Sequence, residues 1–250
     1  MKIALFSDIH SNIQAFDACL EHARLQGANQ YALLGDLVGY GGDPVAVVQR
    51  AQQLQTEGAW IVKGNHDAMA VRPPLQTSSM GESSAAWTHE QLSDEQRYFL
   101  DQLPLLHSFQ NMLLVHASVN QPEMWRYVVD ERSAGASLDA ATTQTEIRYV
   151  FGGHVHQQSL YYRGAGQGLM QFKPTPSIAV PVPKHRYWLA TIGSVGQPRD
   201  GKPQAMYALF DIGKLQLTFY RVTYDHHAAS DAIRRAGLAS FFADRLETGT

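Results

Sequence analysis

The first 65 residues alternate short apolar runs with amphipathic stretches, and this alternation restricts the fold more than any other feature of the chain. Residues 2–7 read as a central strand. Ile13, Phe16, Leu20 and Ala23 then recur at helical spacing, and Gly27 ends that helix. Residues 30–34 read as a second strand. Pro44 opens a helix that runs to about Gln55, and residues 60–63 read as a third strand. Spacing of this kind builds parallel, right-handed βαβ units. Parallel strands point their carboxyl ends the same way, and in open α/β sheets ligands bind at those ends.

Each of these strands ends in polar residues. Asp8-Ile9-His10 follows the first. An Asp and a His two apart can point the same way from an extended strand end and chelate one metal ion. Ser11 or Asn12 can equally cap the next helix there. After the second strand comes Gly35-Asp36-Leu37-Val38-Gly39-Tyr40-Gly41-Gly42, which places Asp36 where Asp8 sits. Its glycines permit positive φ angles and close backbone approach. The third strand leads to Gly64-Asn65-His66-Asp67. The Asn amide oxygen can ligate a metal and the neighbouring His can donate a proton, although a plain polar turn uses the same residue types.

Beyond residue 70 the rhythm breaks. Pro73-Pro74 and the Ser/Thr-rich run to Ser84 read as a loop, with short helices at about residues 85–92 and 94–102. Residues 70–104 are either a helical insertion that caps the site or an ordinary connecting pair. Residues 112–115 form a strand ending at His116. Residues 122–132 are aromatic and basic, with Trp125, Arg126 and Tyr127. A strand at 148–151 precedes Gly152-Gly153-His154-Val155-His156, and His-x-His is a metal-chelating pattern. The remainder is rich in strand formers, at 159–162, 169–172, 187–192, 206–211 and 215–222. The loop at 193–201 carries Ser194 and Arg199. It is either an anion-binding loop, with Arg199 reaching a phosphate, or a surface connection. Residues 228–246 read as helical, interrupted at Gly237. No repeat or linker divides the chain, so a single domain over 1–250 is expected.

Composition narrows the partners. With 44% hydrophobic and 17% charged residues, a chain of 250 residues can bury a substantial core. A net charge of −3 argues against long nucleic acids, which require many Lys and Arg. The one cysteine, Cys19, falls on a helix face, forms no intrachain disulfide and reads as a packed thiol. Residues 1–6 are too short for a signal peptide, and no run approaches the roughly 20 apolar residues of a membrane span. A cytoplasmic protein is expected.

Collected along the chain, the polar strand ends supply Asp8, His10, Asp36, Asn65, His116, His154 and His156. This oxygen and nitrogen set is too large for one ion and about right for two. It suits Mn, Fe, Co, Ni or Zn rather than Ca or Mg. In the order Asp-x-His, Gly-Asp, Gly-Asn-His-Asp, His, Gly-His-x-His, the sequence resembles the calcineurin-like metallophosphoesterase superfamily. The stretches 35–42 and 193–201 resemble its bacterial diadenosine-tetraphosphatase-like or YfcE-like branch. One departure is Thr191-Ile192, where Asn-Pro would precede the Gly-Ser loop.

The resemblance implies a four-layer α-β-β-α sandwich, two stacked mixed β-sheets flanked by helices. It implies two divalent transition-metal ions, one held by Asp8, His10 and His156 and the other by Asn65, His116 and His154, with Asp36 bridging them. It further implies attack on phosphorus by a hydroxide between the ions, with His66 at the leaving oxygen. Asp67 either orients His66 or a ligand, or caps the turn. The expected substrate is a small phosphomonoester, phosphodiester or dinucleoside polyphosphate, contacted by Arg126, Ser194 and Arg199. A cyclic-nucleotide phosphodiesterase is the alternative among small-molecule enzymes. A Ser/Thr protein phosphatase is disfavoured by Gly39, Tyr40 and Lys63, where that group carries Asp, Arg and Arg. The intact ligand set argues against a non-catalytic scaffold of the same fold. No membrane partner is expected, and the sequence leaves the oligomeric state open.

Overall fold

In the central strands successive side chains bury opposite faces. The computed structural model describes residues 1–143, 146–164 and 168–250. Its N-terminal half runs β1 (Lys2–Phe6), α1 (Ile13–Leu25), β2 (Gln30–Leu33), α2 (Pro44–Thr56), β3 (Trp60–Ile61), α3 (Asn65–Val71), α4 (Met80–Gln91), α5 (Asp94–Gln102), β4 (Leu106–Phe109) and β5 (Met112–Val115). There follow α6 (Glu131–Thr142), β6 (Tyr149–Gly152), β7 (Gln158–Arg163), β8 (Met170–Phe172), β9 (Ala179–Pro181), β10 (Tyr187–Ile192), β11 (Ala205–Asp211), β12 (Gln216–Val222), α7 (His226–Arg235) and α8 (Ser240–Thr248).

The strands form two six-stranded mixed sheets, ordered β3-β2-β1-β11-β12-β9 and β4-β5-β6-β10-β7-β8. Ile3 and Leu5 of β1 meet Met112, Leu114, Tyr149 and Phe151 of the second sheet in one apolar layer. Ala4 and Phe6, one residue out of phase, face α1 and α2 through Phe16, Val47 and Val48. On the far side of the second sheet, Leu113 and Val150 pack under Ala134, Leu138 and Ala141 of α6. The four-layer α-β-β-α order expected from the resemblance is the one observed. Strands buried on both faces read as continuous apolar runs, which is why β1 and β5 are so plain in the sequence.

Several elements differ from the sequence reading. β3 is only two residues long, and Gly64-Asn65-His66-Asp67 is not a strand-end turn but the start of α3. α4 begins at Met80, inside the stretch read as loop, where Ser79 and Glu82 form a capping box. α6 was not expected at all. Its buried face is Ala134, Ser137, Leu138 and Ala141, side chains too small to stand out as an apolar stripe. The short strands β4 and β9 were also unanticipated.

The topology gathers one kind of strand end. β1, β2 and β3 are parallel, as are β5, β6 and β10. Asp67 fastens part of that edge. Its buried carboxylate accepts N–H bonds from Leu37 (2.8 Å) and Val38 (3.3 Å) of the loop after β2, and from Gly64 (2.8 Å) at the cap of α3. Capping is therefore the role the structure gives Asp67. Each buried N–H left unpaired costs about 1–3 kcal/mol, so Asp67→Ala is expected to lower unfolding stability by at least ~3 kcal/mol. Urea denaturation checks this, and a loss below ~1 kcal/mol would contradict it.

Candidate metal centre

The loops after β1, β2, β5, β6 and β10 are hydrogen-bonded to one another across the two sheets. Asp8 N donates to Gly35 O, and His10 N donates to Asp36 O, both at 3.0 Å. Val195 N and Gly196 N, arriving from β10, donate to Ser7 O and Asp8 O at 2.9 Å. Gly153 N donates to His116 O at 2.7 Å, and His154 N to Asp8 Oδ2 at 2.9 Å. To turn this sharply, Asp8, His10, Asp36, His154 and His156 all adopt positive φ, between 47° and 68°. Such angles are uncommon in residues with side chains and cost roughly 1–3 kcal/mol each. At Gly153 and Gly64 the approach is closer still. A Cβ on Gly153 would overlap Ser7 Oγ and Asp8 Oδ2, and one on Gly64 would overlap Asp36 N and Oδ1.

The side chains brought together form two buried groups, Asp8–His10–His156 and Asp36–His116–His154. Three imidazoles are oriented from behind. Nδ1 of His10 lies 3.1 Å from Val38 O, Nδ1 of His116 2.8 Å from Leu34 O, and Nδ1 of His156 2.6 Å from Gln197 O. A carbonyl can only accept, so each Nδ1 carries the proton and each Nε2 presents a lone pair inward. In the first group, His10 Nε2 faces His156 Nε2 at 3.1 Å, with Asp8 Oδ1 3.2 Å from His156 Nε2. In the second, His116 Nε2 lies 3.1 Å from Asn65 Oδ1, 3.2 Å from His154 Nδ1 and 3.3 Å from Asp36 Oδ2. Asp36 Oδ2 is also 3.8 Å from His10 Nε2, so it stands between the groups. Its Oδ1 is held by His66 N at 2.7 Å. Among the described residues, Asp8 Oδ1 and His154 Nε2 are buried without a hydrogen-bond partner.

Acceptors facing acceptors in a buried pocket call for positive charge. Burial alone would raise Asp8, but His156 and His116 hold its carboxyl well below the usual carboxylate range. Asp36 is lowered in the same way, against its burial, chiefly by His116 and His66. Burial and the charge of His156 push His10 well down, and burial with His116 pushes His154 down to about 4. Against its burial, His116 is lifted to about 9 by Asp36 and Asp8. Two carboxylates are thus held ionised in the pocket, and they draw positive charge toward the His116 Nε2 lone pair. Donor spacing fits a metal as well. Atoms about 2.1 Å from one ion lie about 3.0 Å apart at a right angle and about 3.4 Å apart at the tetrahedral angle.

A cavity of about 210 Å³ opens onto these groups, lined among others by Asp36, Asn65, His66, His154, His156, Tyr40, Tyr127 and Arg199. Ser79, Gly81 and Glu82 at the start of α4 form its far wall. His66 is 5% exposed, with Nδ1 unpartnered and its ring against Tyr40 (4.3 Å) and His10 (5.1 Å). Gly39, at φ 92°, makes room for that ring.

Of the three residues expected at the substrate, only Arg199 is here, its guanidinium held by Gln197 Oε1 and 5.8 Å from the Tyr40 ring centroid. Ser194 is buried and committed to the loop. Its Oγ donates to Asp8 O and accepts from Gln197 N, both at 2.8 Å. Arg126 points into a separate surface depression and donates to Gln121 Oε1 at 2.6 Å. Thr191, the departure noted above, stays in β10 and donates to Gln157 O at 2.9 Å, and Gly193 makes the following turn at φ 84°. Tyr40 and Tyr127 were not singled out for the site. An aromatic among glycines and the Trp-x-Tyr spacing were the available signals.

Comparison with known proteins agrees with this geometry. The model of the calcineurin-like phosphoesterase superfamily domain matches residues 1–215. The uncharacterized protein MJ0912 of Methanocaldococcus jannaschii is 29% identical over 253 residues, spanning 99% of this chain and 98% of its own. The crystal structure of a metallophosphoesterase from Sphaerobacter thermophilus superposes with a TM-score of 0.86 at 30% identity, covering 100% of this chain and 99% of that one. The hypothetical protein PH1004 of Pyrococcus horikoshii shares the fold, with a TM-score of 0.79 at 19% identity over 100% and 98% of the two chains. By its family match, its fold and its paired Asp/His groups, this chain belongs to the calcineurin-like phosphoesterase superfamily.

Proposed function

We propose that the protein is a dinuclear-metal phosphoesterase that cleaves phosphate ester or anhydride bonds of small substrates. The observation that carries this is the pair of acceptor groups sharing one carboxylate oxygen, Asp36 Oδ2, between His116 Nε2 and His10 Nε2. Asp8, His10 and His156 would hold one divalent transition-metal ion, and Asn65, His116 and His154 the other, with Asp36 serving both. When bound, the ions would supply Lewis-acid polarisation of the phosphoryl oxygens and an acidified water as nucleophile. The chain's own residues do the rest. The carbonyls of Val38, Leu34 and Gln197 fix the imidazoles that point inward. Arg199 lines the same cavity and would neutralise a phosphoryl oxygen there. His66 lines the cavity with its backbone fixed by Asp36 and its Nδ1 without a partner among the described residues, so its ring is free to serve the leaving oxygen.

Cavity size favours small substrates. Among the described residues no helix is long and apolar enough to cross a membrane.

Purified protein supplemented with Mn²⁺ is expected to carry two metal ions per chain by elemental analysis and to hydrolyse members of a phosphate-ester panel. One ion or none in an active sample would overturn the two-ion scheme. Asp36→Asn should lower kcat/KM more than His10→Ala, because it weakens both metal positions at once. The reverse order would refute the shared role. His66→Ala should retain both metals and lose about 10²–10⁴ in rate on alkyl phosphates, but distinctly less on p-nitrophenyl esters, whose leaving group needs little protonation. Equal losses on both ester types, tracking metal content or melting temperature, would reduce His66 to a packing residue.

A further inference from the structure

We infer that the substrate carries a flat aromatic ring, and that Trp125, Tyr127 and Met69 form the shelf that holds it beside the phosphoryl cavity. The inference rests on the phosphoesterase reading above and adds a substrate class to it.

The shelf is built by a contorted segment. Gln121 (φ 56°) and Trp125 (φ 50°) are both left-handed, flanking a single 3-10 turn at Pro122–Met124. Side-chain-bearing residues hold such angles only where the surroundings fix them, and such outliers gather at functional sites. Here the contortion lays two rings over the second metal group. Tyr127 stacks on His154, with centroids 4.1 Å apart and planes at 24°. Trp125 stands edge-on to His116 at 5.9 Å and 69°. Tyr127 is nevertheless 57% exposed, so one face is covered by the imidazole while the rest of the ring meets open space.

That space is an open depression of about 550 Å³, bordered on the other side by Ala68 and Met69 of α3 and by Arg72 at its end. It falls within the roughly 300–1,000 Å³ usual for small-molecule sites. It shares Asn65, Met69, Tyr127 and His154 with the phosphoryl cavity, so an ester seated at the metal groups extends directly onto it. The lining selects for flatness. Two rings and a thioether make π and sulfur–aromatic contacts, and a guanidinium at the rim can stack. No carboxylate lines it, and its apolar area is two ring faces, a thioether and a methyl group, which a flat ring covers more fully than a bare sugar or polyol. A nucleobase and a simple aryl group share the chemistry that fits. The competing explanation is that the rings only shield the imidazoles from water.

Two substrate pairs separate these readings on Mn²⁺-loaded protein. AMP and ribose 5-phosphate differ only in the base. Benzyl and cyclohexylmethyl phosphate differ only in ring flatness. Stacking on aromatic side chains favours the flat member by about 5- to 150-fold. We expect that ratio in kcat/KM for at least one pair, which also says whether the ring is a nucleobase or a plain aryl group. It should collapse toward 1 in Trp125→Leu and Tyr127→Leu and persist in Tyr127→Phe. A ratio near 1 for both pairs in the unaltered protein overturns the inference. So do leucine variants that lose flat and non-flat substrates equally, in step with metal content. If no ester is hydrolysed, the phosphoesterase reading fails by itself. The same pairs are then compared by calorimetric dissociation constants, where equal affinities sink the shelf and a preference lost in Trp125→Leu upholds it.

Discussion

Asp8 is the joint on which the site hangs. Its N–H donates to the loop after β2, its carbonyl accepts from Gly196 N and Ser194 Oγ of the loop after β10, and its Oδ2 accepts from His154 N after β6. One residue thus ties together loops from both sheets, while its remaining oxygen, Oδ1, is left among imidazole nitrogens. A buried carboxylate normally costs several kcal/mol unless it is paired and hydrogen-bonded. Here the His154 N–H satisfies one oxygen, and the other stands beside the His156 ring nitrogen.

The same economy governs the backbone. Five residues of the two acceptor groups sit at positive φ, and two glycines are packed so tightly that a methyl group would displace a neighbour. None of this favours folding locally. It persists because the apolar layer between the sheets and the helix-covered outer faces fix the strand ends in place. Strain gathered at one edge of an otherwise regular sandwich is what a stability–function compromise looks like in coordinates.

The site's polar residues were legible because they obey a simple rule, standing directly after strands whose apolar runs are unmistakable. The sandwich followed from the resemblance those residues carry. α6 was not legible, since its packing face is built of Ala and Ser. Nor was the length of α4, which depends on a capping box at Ser79. Ser194 and Arg126 show a different limit. Both lie in segments that reach the neighbourhood of the site, but a loop residue's direction follows from backbone turns that composition does not encode. Ser194 turned inward to brace Asp8, and Arg126 turned away while Trp125 and Tyr127 on either side of it turned toward the imidazoles.

The pairing of β1 with β11 has a consequence for how the molecule is made. β1 lies between β2 and β11, with Lys2 opposite Asp211. β1 therefore lacks one neighbour until Ala205–Asp211 folds back against it. Every residue of the two acceptor groups, from Asp8 to His156, precedes β11 in the chain. Contacts this distant in sequence close late and slowly. Before that closure the loop after β10 cannot brace Asp8, and the inward lone pairs have no fixed geometry. The inward geometry of the two groups is accordingly a product of the closed sheets and not of any one segment.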